Sequence, residues 1–336
     1  MPVVSWPVSL RAARRGGLGV FAAMAVVLSA QPAALASTAP TPTWTQQRPG
    51  AHPSGRDIPS MAYDAATGNI VLFGGQFADQ DGNFNGTWTW AGSTWTKQHP
   101  AAHPSNRYGA SMAYDAATGN VVLFGGIGQD FYGDTWTWDG STWTRQHPAT
   151  SPPGWGLAAM AYDAATGTVV LFGGVSNHAS LRNTWTWNGS TWTKQAPATS
   201  PPVLAGASMA YDAATGNIVL FGGDSFSEQN GTWTWNGSTW TKQAPATSPP
   251  AEERAAMTYD AATRNIVLFG GFNGGPLGGT WTWDGSTWTK QHPATSPSAR
   301  SGASMAYDAA TGNAVMFGGR GDNGLPSTTW TWGSSG

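Results

Sequence analysis

A block of about 50 residues recurs six times along this 336-residue chain. Self-similarity at such a period limits the fold to a repeat architecture before any local pattern is weighed. The string Met-Ala-Tyr-Asp-Ala-Ala-Thr-Gly returns with small changes, its tyrosines being Tyr63, Tyr114, Tyr162, Tyr211, Tyr259 and Tyr307. The intervals are 51, 48, 49, 48 and 48 residues. Each copy runs into Ile-Val-Leu-Phe-Gly-Gly or a variant, then a variable segment, then Thr-Trp-Thr-Trp-x-Gly-Ser-Thr-Trp-Thr.

Each unit carries four strand signals, lettered a to d. Strand a ends at the Tyr, strand b is the β-branched run before Gly-Gly, strand c is Thr-Trp-Thr-Trp, and strand d is Ser-Thr-Trp-Thr-Lys. No helical period appears beyond the N-terminal segment. Tyr-Asp-Ala-Ala-Thr-Gly-Asn reads as the a–b turn, with Asp bonding backbone N–H groups and Gly supplying positive φ. Arg264 replaces that Gly in one copy, which predicts local strain or a different turn. Ala91-Gly92, Asp139-Gly140, Asn188-Gly189, Asn236-Gly237 and Asp284-Gly285 predict two-residue c–d hairpin turns. Such turns place Trp88 opposite Trp95, Trp136 opposite Trp143, Trp185 opposite Trp192, Trp233 opposite Trp240 and Trp281 opposite Trp288.

One four-stranded antiparallel unit cannot cover both its faces. Six stacked around an axis can, which predicts an all-β, six-bladed β-propeller of four-stranded antiparallel blades. Of 20 tryptophans, only Trp6 and Trp155 fall outside a pattern of three per unit. Each buried indole is worth roughly 4–6 kcal/mol as an upper bound, from ~150–250 Å² at ~25 cal/mol/Å². With no cysteine in the chain, disulfides are excluded, and this aromatic wall takes their place.

The ends suggest how the ring closes. The sixth unit stops after strand c, at Trp332-Gly333, while an orphan d-like string, Thr43-Trp44-Thr45-Gln46-Gln47, begins the repeat region. Residues 43–47 are therefore expected to be the outer strand of the sixth blade, with Trp44 facing Trp330. Residues 1–36 read as a secretory signal: Arg11, Arg14 and Arg15 precede an apolar run from Leu18 to Ala30, and Ala34-Leu35-Ala36 offers a cleavage site. Residues 37–42 form a linker, 43–332 the propeller and 333–336 a tail. A secreted, extracellular protein is expected, without membrane attachment once the signal is removed, and a monomer.

The Gly-Gly after an apolar strand, the aromatic on strand c and the Trp on strand d resemble the kelch repeat, over residues 43–332. Strand c carries Trp90 and its equivalents where kelch repeats usually have Tyr, so the chain is a divergent, Trp-rich version. The resemblance implies a propeller like the central domain of galactose oxidase. That enzyme's copper site needs a Cys–Tyr crosslink, which a chain without Cys cannot make. A kelch-like sialic acid mutarotase is a further possibility the resemblance raises.

A meander of four strands puts the near-identical a–b and c–d turns on one face and the variable b–c and d–a connections on the other. Function on such a scaffold is expected on the variable loops. Seven residues before each Tyr stand Arg56, Arg107, Trp155, Leu204, Glu252 and Arg300. The three arginines fall in neighbouring blades, with Arg254 close by. They read either as an anion-binding arc at the channel mouth or as braces for loop backbone. Trp155 is uncalled for by the repeat, and Phe131, Tyr132, Phe226 and Phe272 are loop aromatics able to stack on a sugar or peptide. These residues, with Glu252, make the candidate ligand-binding set.

No catalytic, metal or cofactor constellation emerges. The six histidines, His52, His99, His103, His147, His178 and His292, lack metal spacing. Glu252, Glu253, Glu228 and Asp130 offer loop carboxylates without a defined pair. Asn85, Asn188, Asn230 and Asn236 are sequons, two of them explained by turn chemistry. Without the three signal arginines, 13 basic residues face 18 acidic, a balance of −5 that argues against a nucleic-acid partner. The expected function is a non-catalytic binding module for a glycan, peptide or acidic ligand, with an extracellular protein or glycan as partner. The alternatives are a carbohydrate-active enzyme of the mutarotase kind at the channel mouth, and a structural extracellular protein.

Overall fold

A computed structural model describes residues 41–76, 85–177, 179–224 and 230–334. It is an all-β, six-bladed β-propeller, and among the described residues there is no helix. In blade one the strands are Ser60–Asp64, Asn69–Phe73, Thr87–Trp90 and Trp95–Gln98, hydrogen-bonded in that order and antiparallel. Blades two to five repeat the pattern. The sixth sheet joins Ser301–Asp308, Asn313–Arg320 and Thr329–Gly333 to Thr43–Gln47, which pairs with the third of these as the outermost strand.

Strand alternation gives each blade two unlike faces. In blade one, one face carries the rows Met61–Leu72–Trp88–Lys97 and Tyr63–Ile70–Trp90–Trp95. The other carries Ala62–Val71–Thr89–Thr96 and Ser60–Phe73–Thr87–Gln98. The Trp-bearing face of one blade meets the Ala, Val and Phe side chains of its neighbour. Met61, Ile70, Leu72, Trp90 and Trp95 pack on Ala306, Val315 and Phe317 of blade six. Ala62, Val71 and Phe73 receive Met112, Leu123, Trp138 and Trp143 of blade two. Each strand-d indole also donates to a strand-c Thr hydroxyl of the preceding blade. Trp143 reaches Thr87, Trp95 reaches Thr329 and Trp44 reaches Thr280, all at 2.8–2.9 Å. A buried N–H left alone would cost about 1–3 kcal/mol, so this bond selects Thr at the position.

The c–d hairpins depart from the expected register. Trp95 pairs with Trp90, not Trp88, and Trp88 pairs with Lys97. Trp138 pairs with Trp143, Trp187 with Trp192, Trp235 with Trp240 and Trp283 with Trp288. The loop has four residues rather than two. Asp139 Oδ1 accepts the N–H groups of Ser141 and Thr142 at 2.9 and 2.7 Å, and this side-chain cap holds the longer loop. Trp44 likewise lies opposite Trp332, not Trp330. The shift brings two fully buried rings together at 5.3–5.4 Å and leaves Trp88 half-buried at the blade flank. Arg264 keeps the turn of its glycine counterparts, at φ 59° against 73° for Gly68.

Candidate ligand-binding site

The residues seven before each Tyr lie inside the molecule, beneath the variable loops. Arg56, Arg107 and Arg300 are buried. Each donates Nε to a carbonyl two residues back and Nη1 to the first glycine carbonyl of the Gly-Gly pair, Gly74, Gly125 or Gly318. They brace backbone, which was one of the two readings open from sequence. Burial pushes Arg300 down to about 10. Trp155 is fully buried and meets Phe124 edge-on at 6.1 Å, so it is core rather than the ligand-binding surface expected from sequence. Leu204 is core as well. Burial pushes the Glu252 carboxyl up to about 9, and its Oε1 has no hydrogen-bond partner.

Arg107 does more than brace. Asp134 takes two of its N–H groups, at 2.6 and 3.0 Å, and its guanidinium lies 4.3 Å from the Tyr132 ring centroid. Burial alone would raise the Asp134 carboxyl, but the Arg107 bonds and charge, with the Trp136 indole, hold it below the usual value. Arg107 and Tyr132 are thus two of the expected residues that the fold brings together. Arg254 and Phe272 are another pair, at 5.4 Å, and Phe272 is partly exposed at 36%. Phe131 is half-buried in the same loop as Tyr132. Phe226 lies outside the described residues, as do Glu228 and His178.

The channel mouth is built by six residues, of which only Arg254 belongs to the expected set. Six backbone hydrogen bonds form a closed ring through Ile58, Gly109, Leu157, Gly206, Arg254 and Gly302, each N–H donating to the preceding blade's carbonyl at 2.7–3.1 Å. All six have positive φ, including the non-glycines Ile58, Leu157 and Arg254, at 51–57°. Left-handed backbone is unusual for such side chains, and for β-branched Ile most of all. The alternation follows from space: a Cβ at Gly109 would lie 2.9 Å from Leu157 Cδ2, and one at Gly206 would lie 3.0 Å from Arg254 Cγ. Alternating Gly at these positions was a signal readable in the sequence. Asp57 borders the ring against Gly302. Burial raises its carboxyl to about 6, against the pull of the Arg254 and Arg320 charges, and Oδ1 has no hydrogen-bond partner.

Beside the mouth, between blades one and two, lies a cleft of about 710 Å³. Tyr108 and Tyr132 supply its aromatic surface; Gln76, Asn106 and Gln129 supply amides, and Ser105 a hydroxyl. Ile127 and Gly128 complete the described lining, and none of these described side chains is charged. Gly128 admits the Tyr132 ring, since a Cβ there would lie 2.7 Å from the Tyr132 hydroxyl.

No protein-family model matches the chain, and no curated protein matches it. Among solved structures, that of YjhT is similar, with a TM-score of 0.63 at 15% identity, covering 84% of this chain and 95% of YjhT. At that identity the likeness is one of fold, and it agrees with the propeller built here from strand pairing.

Proposed function

We propose that the protein is a kelch-like, exported binding module that holds an uncharged stretch of glycan in the cleft between blades one and two, without catalysis. The lining of the cleft carries this reading: two tyrosines, three amides and a hydroxyl, with no charge among them. Sugars offer apolar C–H faces to aromatic rings and hydroxyls that need donors and acceptors together, and amides supply both. Tyr132 is already held by Arg107, itself held by Asp134, so little ordering of the ring is needed on binding. The signal-like N-terminal segment supports export to where such ligands occur. The test is a glycan array followed by calorimetry on the best neutral ligand. Tyr132→Ala and Tyr108→Ala should each weaken binding at least tenfold with little change in unfolding midpoint. Undiminished affinity in the double variant rejects the cleft.

Asp57 favours a second reading, a sugar-converting enzyme at the channel mouth. A carboxyl at about 6 can accept and return a proton near neutrality. NMR exchange spectroscopy of reducing sugars decides it: anomeric exchange unchanged by the protein removes the mutarotase alternative.

A further inference from the structure

The outermost strand of each blade carries a repeated charge at one height on the perimeter. Two residues after its buried Trp stand Lys97, Arg145, Lys194, Lys242 and Lys290 in blades one to five, and Gln46 in blade six. All five cationic side chains are exposed. No Asp or Glu lies on these strands; the described carboxylates stand at the ends of strand a, in the c–d turns and in the loop-end connections. The side chains of Lys97, Arg145, Lys194 and Lys290 make no hydrogen bond, ion pair or ring contact with any described residue.

Directly across the sheet from each cation is the half-buried Trp of strand c: Trp88, Trp136, Trp185, Trp233 and Trp281. Each of these rings packs into the seam between its own blade and the preceding one. The face that the preceding blade turns to that seam carries a Thr and a Gln at the rim. Gln98 donates its amide N–H to the Thr89 hydroxyl at 2.8 Å, and the same bond recurs in every blade at 2.8–2.9 Å. The amide is thus held in place while its carbonyl oxygen stays open to a further donor. Charge on an exposed edge strand also opposes pairing with another chain. Edge protection and ligand binding coexist here, since both need the cations unpaired.

We propose that this rim binds an acidic polysaccharide, laid across successive blades with its anionic groups on the cations and its sugar faces against the indoles. Guanidinium and ammonium groups pair with carboxylate or sulfate, and the C–H faces of sugars pack on aromatic surface. One such contact is weak at an exposed site, and repetition along one polymer multiplies it. The spacing favours a polysaccharide over a nucleic acid. Duplex DNA bears a charge every ~1.7 Å, whereas the rim offers one cation per blade in a chain of net negative charge. The belt shares no residue with the cleft between blades one and two and does not depend on a glycan there.

Calorimetry of the whole chain with polygalacturonate, heparin, dextran and duplex DNA, over a range of salt, tests the assignment. Polygalacturonate or heparin should bind, with affinity falling as salt rises, and dextran should not. Polygalacturonate at least tenfold tighter than heparin identifies carboxylate as the recognised group, the reverse identifies sulfate, and equal affinity means that either anion serves. Replacing any one of Lys97, Arg145, Lys194 and Lys290 by Gln, the residue blade six already has, should weaken binding about twofold to fivefold. Replacing all four should weaken it by at least about tenfold, with little change in unfolding midpoint. Gln46→Lys should tighten binding about twofold, a gain that misfolding cannot imitate. Tyr132→Ala, which disables the cleft, should leave rim binding unchanged. Absence of binding to both acidic polymers at low salt, full affinity with all four cations replaced, or tighter binding of DNA than of either polysaccharide overturns the proposal.

Discussion

The two ends of the channel have one backbone plan and opposite chemistry. At the turn end every blade repeats one device: the Asp at the end of strand a accepts the N–H of the residue two on, at 2.9–3.0 Å in all six copies. At the loop end an equally regular backbone ring carries side chains that differ from blade to blade. A side-chain cap on the backbone fixes the geometry at the turn end and main-chain bonds fix it at the loop end, where the side chains are therefore free to vary. What it varies is buried charge: Arg107 with Asp134, Glu252 held neutral, Asp57 near 6. The turn end saves stability by repetition, and the loop end gives some up for chemistry.

Removing one carboxylate at each end sharpens this contrast most. Asp134→Ala leaves the buried Arg107 without its countercharge, and breaking such a pair costs about 3–5 kcal/mol. Asp64→Ala loses two local turn bonds, from the Ala66 N–H and the Thr67 hydroxyl, and should cost about 1–2 kcal/mol. Urea unfolding of both variants measures the ratio. Equal costs would mean that the loop-end pair is solvated like any surface pair.

Glu252 provides the next largest effect, with opposite sign. Its carboxyl is raised from 4.5 to about 9 in the fold, so between those values the folded chain holds a proton the unfolded chain releases. Stability is thus complete below pH 4.5 and falls as pH rises through 9. At about 1.4 kcal/mol per pH unit, the loss by pH 7 is roughly 3 kcal/mol. Glu252→Gln keeps the shape and never ionises. It should be about 3 kcal/mol more stable than the parent at pH 7 and no different at pH 4. Asp57, raised from 3.8 to about 6, leaves a smaller fall across that window in the variant. An unaltered pH slope would show that Glu252 reaches water.

The repeat made the propeller, its six blades and its strand order legible, because a period of about 50 residues with four strand signals has few other solutions. Local detail was harder. Asp139-Gly140 has the composition of a two-residue turn, yet the Asp oxygen caps a four-residue loop, and composition does not separate the two. The arginines stand out in the sequence as a set, but whether such a side chain faces solvent or backbone depends on the glycine carbonyls at the end of strand b, which only the folded blade brings within reach. The neutral cleft joins the d–a segment at Ser105 and Asn106 to the b–c segment at Gln129 and Tyr132, and no linear pattern announces such a meeting. Alternating glycines at the mouth, by contrast, were present in the sequence as a signal and went unread.

Left-handed residues other than glycine occur at both ends, and they give the smallest and finest comparison. Arg264 sits in an a–b turn where the five equivalent positions are glycine. Its side chain is exposed enough to gain little from packing, so the left-handed penalty of roughly 1–2 kcal/mol is not offset. Arg264→Gly should stabilise the chain by about 1 kcal/mol, some of the relief being lost to the greater freedom of glycine when unfolded. Ile58 bears a comparable penalty at the mouth, but a Cβ on Gly302 would lie 2.9 Å from Ile58 Cγ1, so the two side-chain sizes are matched across the blade boundary. Ile58→Gly removes strain and uncovers apolar surface together, and should gain less than Arg264→Gly or lose stability outright. Thermal unfolding of the two variants side by side measures the difference. A larger gain at Ile58 would mean that the mouth holds its bulky residues against stability for a reason other than packing, which would direct the search for a ligand back to the ring of Ile58, Leu157 and Arg254.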